Sequence, residues 1–217
     1  MSEAEETILR TPGGRMRLRW LLGNAMRITH ASPGDEPFPA DRPWLADILP
    51  AGEPRLEAGP ELKVEHSQGR LRVTNLAGQE IFSETRSSRL GLRHSRFEFS
   101  LDPTKLELRA GLRRVDHGVR LSLGITPGES FYGWGEQFDR YRRQSGRVQL
   151  KIRDAITPLQ KRGETYLAIP FFISSRGYGF VLLNSHTSHW KIDPKLQELE
   201  IEAEGPGADY ILIYGPS

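Results

Sequence analysis

Apolar and polar side chains trade places at every second position through much of this chain. A period of two is what a strand shows when one face meets a core and the other meets water. Met16, Leu18 and Trp20 interleave with Arg15, Arg17 and Arg19; Leu62 and Val64 with Lys63 and Glu65; Phe97, Phe99 and Leu101 with Arg96, Glu98 and Ser100. The pattern returns at Leu106 and Leu108, from Val119 to Ile125, from Val148 to Ile152 and from Leu199 to Ala203. Turn formers (Ser67-Gln68-Gly69, Ala77-Gly78, Asp102-Pro103, Asp116-His117-Gly118) separate these runs closely enough for hairpins, so the pairing is expected to be mostly antiparallel.

Three runs break the alternation. Phe171-Phe172-Ile173, Phe180-Val181-Leu182-Leu183 and Ile211-Leu212-Ile213 are apolar on both faces, which places them in central strands covered on both sides. Helical periodicity is nearly absent: Trp44 to Leu49, between Pro43 and Pro50, allows one turn at most. The expected fold class is therefore all-β, a large antiparallel β-sandwich with little or no helix. Residues 1–14 are expected to be a flexible N-terminal segment, and 15–217 one sandwich domain.

The 217 residues contain no cysteine, which excludes disulfides, thiolate metal sites and cysteine nucleophiles. Thirty Lys and Arg against 28 Asp and Glu leave a net charge of only +2, so charge gives no reason to expect nucleic acid. The N-terminus, Met1-Ser2-Glu3-Ala4-Glu5-Glu6, is acidic where a secretory signal is basic and then apolar. No apolar run is long enough to span a membrane. A cytoplasmic protein without a membrane partner is expected, and no metal or organic cofactor is indicated.

Asp139 to Tyr166 is the longest stretch without an interior pattern, broken only by Val148 to Ile152. Irregular loops on rigid sheets are where binding groups concentrate, so function is sought there first. The stretch is preceded by Phe131-Tyr132-Gly133-Trp134-Gly135-Glu136-Gln137-Phe138 and contains Ile152-Arg153-Asp154-Ala155. Ile169-Pro170-Phe171-Phe172-Ile173-Ser174-Ser175-Arg176-Gly177-Tyr178-Gly179 follows, then Asp209-Tyr210 and Tyr214-Gly215-Pro216-Ser217. As an ordered set these motifs resemble the N-terminal domain of glycoside hydrolase family 31, the α-glucosidase and α-xylosidase family, from about Phe131 to the last residue.

The resemblance implies a galactose mutarotase-like β-sandwich that is normally followed by a (β/α)8 catalytic barrel. It implies a retaining α-glycosidase whose two carboxylates, about 5 Å apart, both sit on that barrel. No catalytic residue is then expected in this chain, and its partners would be the barrel and an α-linked glucoside or xyloside oligosaccharide. One substrate-binding residue carries over. In the family an Asp in an Arg-Asp pair hydrogen-bonds sugar hydroxyls from a loop over the barrel mouth, and here that position is Asp154. Many members have Asn before the pair, where this chain has Ile152. A carboxylate suits the task because its two oxygens accept from adjacent hydroxyls. Without the resemblance, Asp154 reads as a surface aspartate bridged to Arg153 or Lys151. A domain lacking its barrel should also expose an apolar face.

Other features read as structural. Gly133 and Gly135 mark a bulge or a close backbone approach, and Glu136 a paired carboxylate. His186 and His189, three apart in a strand, point to opposite faces and make a poor metal pair. Trp20 belongs to an interior stripe, Trp44 and Trp190 are less determined as sugar-stacking platforms, and Arg140, Arg142, Arg143 and Arg147 form a solvated loop and hairpin edge. Two other functions compete: a free-standing carbohydrate-binding or structural module, and an aldose 1-epimerase-like enzyme.

Overall fold

The computed structural model describes residues 6–11, 14–31, 62–67, 70–85, 112–115, 118–137, 139–151, 167–184, 186–205 and 207–215. Among them are sixteen strands and no helix. An eight-stranded sheet runs in the order β1 (Glu6–Thr11), β2 (Gly14–Leu22), β3 (Ala25–Ala31), β16 (Asp209–Tyr214), β13 (Tyr178–Leu182), β12 (Phe171–Ser174), β9 (Phe131–Gly133) and β10 (Arg142–Arg143). A five-stranded sheet runs β11 (Gly146–Leu150), β14 (Ser188–Asp193), β15 (Glu198–Glu204), β8 (Gly118–Gly124) and β7 (Leu112–Val115). The third sheet is β4 (Leu62–Ser67), β5 (Arg70–Asn75) and β6 (Glu80–Ser83). A bridge from Glu84 to Leu123, with Thr85 N–H donating to the Ser122 carbonyl at 2.8 Å, joins the last two into one layer facing the first.

Every pairing among the described residues is antiparallel, and the short turns require this of the hairpin neighbours. The alternation maps onto the two layers. Met16, Leu18, Met26 and Ile28 from the large sheet meet Leu71, Val73, Leu121, Leu123, Leu199 and Ile201 from the facing layer in one buried cluster. At its centre Phe172, Phe180 and Tyr210 stack face to face across neighbouring strands, at 5.4 and 4.9 Å between centroids. Trp190 of the opposite layer stands edge-on to Phe172 and Phe180 at 5.9 and 5.8 Å. Each such contact adds roughly 0.5–1.5 kcal/mol beyond the area it buries.

Two expectations meet a different arrangement. Glu6–Thr11 is not loose: it forms β1, in register with β2 from Glu6 opposite Arg19 to Thr11 opposite Gly14. Ile8 is left exposed on it, so the alternation there is too weak to announce a strand. The double-sided apolar runs do lie in the middle of the large sheet, as β12, β13 and β16. Their outward face is nevertheless only partly covered: Ile211 and Leu183 are buried, whereas Ile173 and Ile213 remain 49% and 37% exposed. The Phe97–Leu101 and Leu106–Leu108 patterns and the Trp44–Leu49 turn lie outside the described residues.

Candidate functional site

Residues 152–166, which include Asp154, lie outside the described residues, but both roots of this stretch are described. It leaves from β11 in one layer and returns through Leu167 to β12 in the other. The returning root is gripped by the Gly133-Trp134-Gly135 turn. Trp134 N–H donates to the Phe171 carbonyl at 2.7 Å and Glu136 N–H to the Leu167 carbonyl at 3.1 Å. The approach is so close that a Cβ on Gly135 would stand 2.1 Å from the Leu167 oxygen, and one on Gly133 2.4 Å from the Phe171 oxygen. Only glycine fits either place, and at φ of 76° and 142° both adopt backbone conformations that favour it.

Trp134 between them has φ of 68°, a costly conformation for a bulky residue. The surroundings hold it there. Its ring is fully buried, 5.3 Å from Phe172 and 5.9 Å from Trp190, with the Arg143 guanidinium 6.0 Å from its centroid. Arg143 is itself buried and hydrogen-bonds both oxygens of Asp139 through its two terminal nitrogens. Those bonds hold the Asp139 carboxyl below its ordinary pKa against the opposing effect of burial, which is the largest single influence on it. The described root at Leu167 thus rests on a rigid, aromatic-backed base.

Two buried carboxylates lie deeper, and nothing in the sequence pattern singled them out. Glu129 accepts from Thr126 N–H at 2.9 Å, the Thr126 hydroxyl at 3.1 Å, the Ser174 hydroxyl at 2.5 Å and the Tyr178 hydroxyl at 3.0 Å. Glu84 accepts from Leu71 N–H at 3.0 Å and the Tyr210 hydroxyl at 2.8 Å, and lies 2.9 Å from Nε2 of His30. Burial first, and the adjacent carboxylate second, push both tyrosines well above their ordinary pKa. Both glutamate side chains are fully inaccessible and are surrounded by their own partners. They act as internal acceptors that tie strands together. His30 and Glu84 resemble an acid/base pair in composition, yet no substrate can reach them.

The remaining sequence candidates scatter. His186 and His189 are both exposed, His189 on the outward face of β14 and His186 against Gly205. Glu136, read as a paired carboxylate, has an exposed side chain. Trp134 and Trp190 are sealed in the core and offer no platform to a sugar, Trp20 is partly buried against the core, and Trp44 lies outside the described residues. The arginine group is not uniformly solvated: Arg140, Arg142 and Arg147 are exposed, but Arg143 is the buried cation beneath the turn. An arginine three residues before the strand-initiating Gly146 gives no hint from spacing alone that it will pack over a tryptophan.

The double-layered antiparallel sheets define a β-sandwich domain of the mutarotase-like kind. The sequence signature described as the glycosyl hydrolase 31 N-terminal galactose mutarotase-like domain matches residues 20–190, and the chain belongs to that family. Among curated relatives, the α-xylosidase XylQ of Lactiplantibacillus pentosus is 32% identical over 99 residues, which are 45% of this chain and 12% of that protein. The solved family-31 dextranase of Flavobacterium johnsoniae shares the fold with a TM-score of 0.67 at 15% identity, over 98% of this chain and 26% of that one. The cycloalternan-forming enzyme of Listeria monocytogenes gives 0.66 at 15% identity, over 100% and 20%. The chain thus spans between 12% and 26% of the length of these three proteins.

Proposed function

We propose that this chain is the N-terminal accessory domain of a cytoplasmic retaining α-glycosidase acting on α-linked glucoside or xyloside oligosaccharides. It packs on a (β/α)8 barrel that carries the nucleophile and the acid/base, and lends that barrel a substrate-contacting loop through Asp154. Membership of the family's N-terminal domain carries this reading. Two features support it: the braced root of residues 152–166 and the apolar outward face of the central strands.

In this arrangement the domain performs no bond cleavage. Asp154 accepts hydrogen bonds from neighbouring sugar hydroxyls, and a charge-assisted bond of this kind is worth about 1.5–3 kcal/mol. In the enzyme carrying this domain ahead of its barrel, Asp154→Ala is expected to lower kcat/KM on an α-linked disaccharide by about 10- to 100-fold, the kinetic equivalent of losing one such bond. The thermal midpoint should stay unchanged, and Asp154→Asn should recover part of the loss. Unaltered kinetics would remove Asp154 from the site. Turnover of an aryl α-glycoside by the 217-residue chain alone would overturn the division of labour.

A further inference from the structure

β1 ends the eight-stranded sheet, and among the described residues no strand pairs with its other side. Such an edge presents unpaired N–H and C=O groups, and folded proteins ordinarily blunt it with a proline, a bulge or repelling charges. β1 has none of these. Its register with β2 is unbroken from Glu6 to Thr11, it holds no proline, and its two charges, Glu6 and Arg10, are opposite in sign. Glu6, Ile8 and Arg10 are exposed, and Leu9 on the inner side is only half-covered, so the described part of the facing layer does not seal the edge.

The hairpin fixes which residues can receive another strand. Two residues separate the paired Thr11 and Gly14, so that pair closes the hairpin and exchanges its backbone hydrogen bonds. Hydrogen-bonded pairs alternate with non-bonded ones, which gives Leu9 and Thr7 to β2 as well. Glu6, Ile8 and Arg10 therefore turn their N–H and C=O groups to the open side. Their side chains share the outer face, opposite to that of Leu9.

These three residues are symmetric about Ile8, with the acid two positions before it and the base two positions after. In an antiparallel pairing of two such edges with Ile8 opposite Ile8, Glu6 of each copy faces Arg10 of the other. All of these are pairs of the hydrogen-bonded kind, and Thr7 faces Leu9 on the inner side. Centring the pairing on Thr7 or Leu9 instead would set a charge against Ile8. Within the chain Arg10 stands opposite Arg15 of β2, a like-charge neighbour that Glu6 of a second copy would offset from the open side. We infer that β1 is a self-complementary edge through which two copies of this chain pair about a two-fold axis at Ile8, joining their large sheets into one. The contact is small, so the pairing is weak and reversible. It is separate from the apolar outward face of β12, β13 and β16, and it does not depend on Asp154.

The absence of cysteine from the chain provides the test. Ile8→Cys supplies one thiol per copy, and at the two-fold centre the Cα atoms lie about 5.5 Å apart, within disulfide range. Glu6→Cys sets the two thiols of a pair about 14 Å apart, beyond that range. Both are compared in the Ile173→Lys, Ile213→Lys background, which removes association through the outward face, at about 0.5 mM chain as a weak contact requires. Diamide should cross-link Ile8→Cys at least tenfold faster than Glu6→Cys. In sedimentation of the same background without an added thiol, Glu6→Arg or Arg10→Glu alone should weaken dimerisation at least fivefold, and the two together should restore it. Every substituted β1 position is exposed, so these variants keep the fold. Equal cross-linking at the two positions would overturn the pairing, as would a combined charge exchange no better than the single changes, or a chain that stays monomeric at this concentration.

Discussion

Tyr178 and Tyr210 show how single residues tie this fold to solution conditions. Both phenols are buried, and each donates to a buried glutamate, Glu129 for Tyr178 and Glu84 for Tyr210. Their pKa values are raised well above 10 in the fold, burial being the larger cause. An unfolded tyrosine ionises near pH 10, so above that pH the unfolded chain releases protons that the folded chain keeps. The stabilisation from each phenol is complete below pH 10 and is lost as pH rises from there towards the folded value. The loss is about 1.4 kcal/mol per pH unit for each group. Urea unfolding between pH 9 and 11.5 should show this decline, and Tyr210→Phe should shallow it by close to half. An equal slope in the variant would show that the phenol is not held neutral. Nothing in the sequence foretold this: Tyr210 sits in an apolar run, and its acceptor lies 126 positions away.

Elements were more legible than residues because period-two alternation depends only on which face is dry. Met16 and Leu18, Val119 to Leu123, Val148 and Leu150, and Leu199 to Ala203 all point inward as their spacing requires. β1 escaped notice because it packs an edge, with Ile8 outward and Leu9 only half covered. The Gly-Trp-Gly turn was readable as a close backbone approach, but not as a clamp on Leu167 and Phe171, since these belong to another strand connection. That clamp is testable. Gly135→Ala places a Cβ 2.1 Å from a backbone oxygen and at positive φ, whereas at Gly78, also at positive φ, nothing lies within 4 Å. Gly78→Ala should cost about 1 kcal/mol from backbone strain alone. Gly135→Ala should cost at least about twice that by urea unfolding, and hydrogen exchange should quicken at Glu136 and Phe171, the amides at the clamp and the root of β12. Equal costs at the two sites would mean that the turn does not clamp Leu167.

At the scale of the whole molecule, the outward side of the large sheet poses the question of what it meets. Across five neighbouring strands one row of paired positions reads Tyr132, Ile173, Gly179, Ile213 and Ala25, with the Phe171 ring 3.2 Å from where a Gly179 Cβ would stand. The adjacent row reads Phe171, Val181 and Ile211 before Arg27 introduces charge. At about 4.8 Å per strand, the first row spans roughly 19 Å without an ionisable group other than the Tyr132 phenol. Antiparallel sheets that face water on one side ordinarily carry polar residues there. A face this apolar fits one packed against a further part of a larger enzyme, which is where the proposed barrel would lie. The isolated 217-residue chain should therefore bind a hydrophobic dye such as ANS, or self-associate in sedimentation at tens of micromolar. Ile173→Lys together with Ile213→Lys should suppress both without lowering the unfolding midpoint, because both side chains are already substantially exposed. The same double change placed in the longer enzyme should instead loosen the domain from the rest, read as faster proteolysis between the two parts. A monodisperse wild-type chain with no dye binding would show that this face is complete in itself and would take the docking surface out of the proposal.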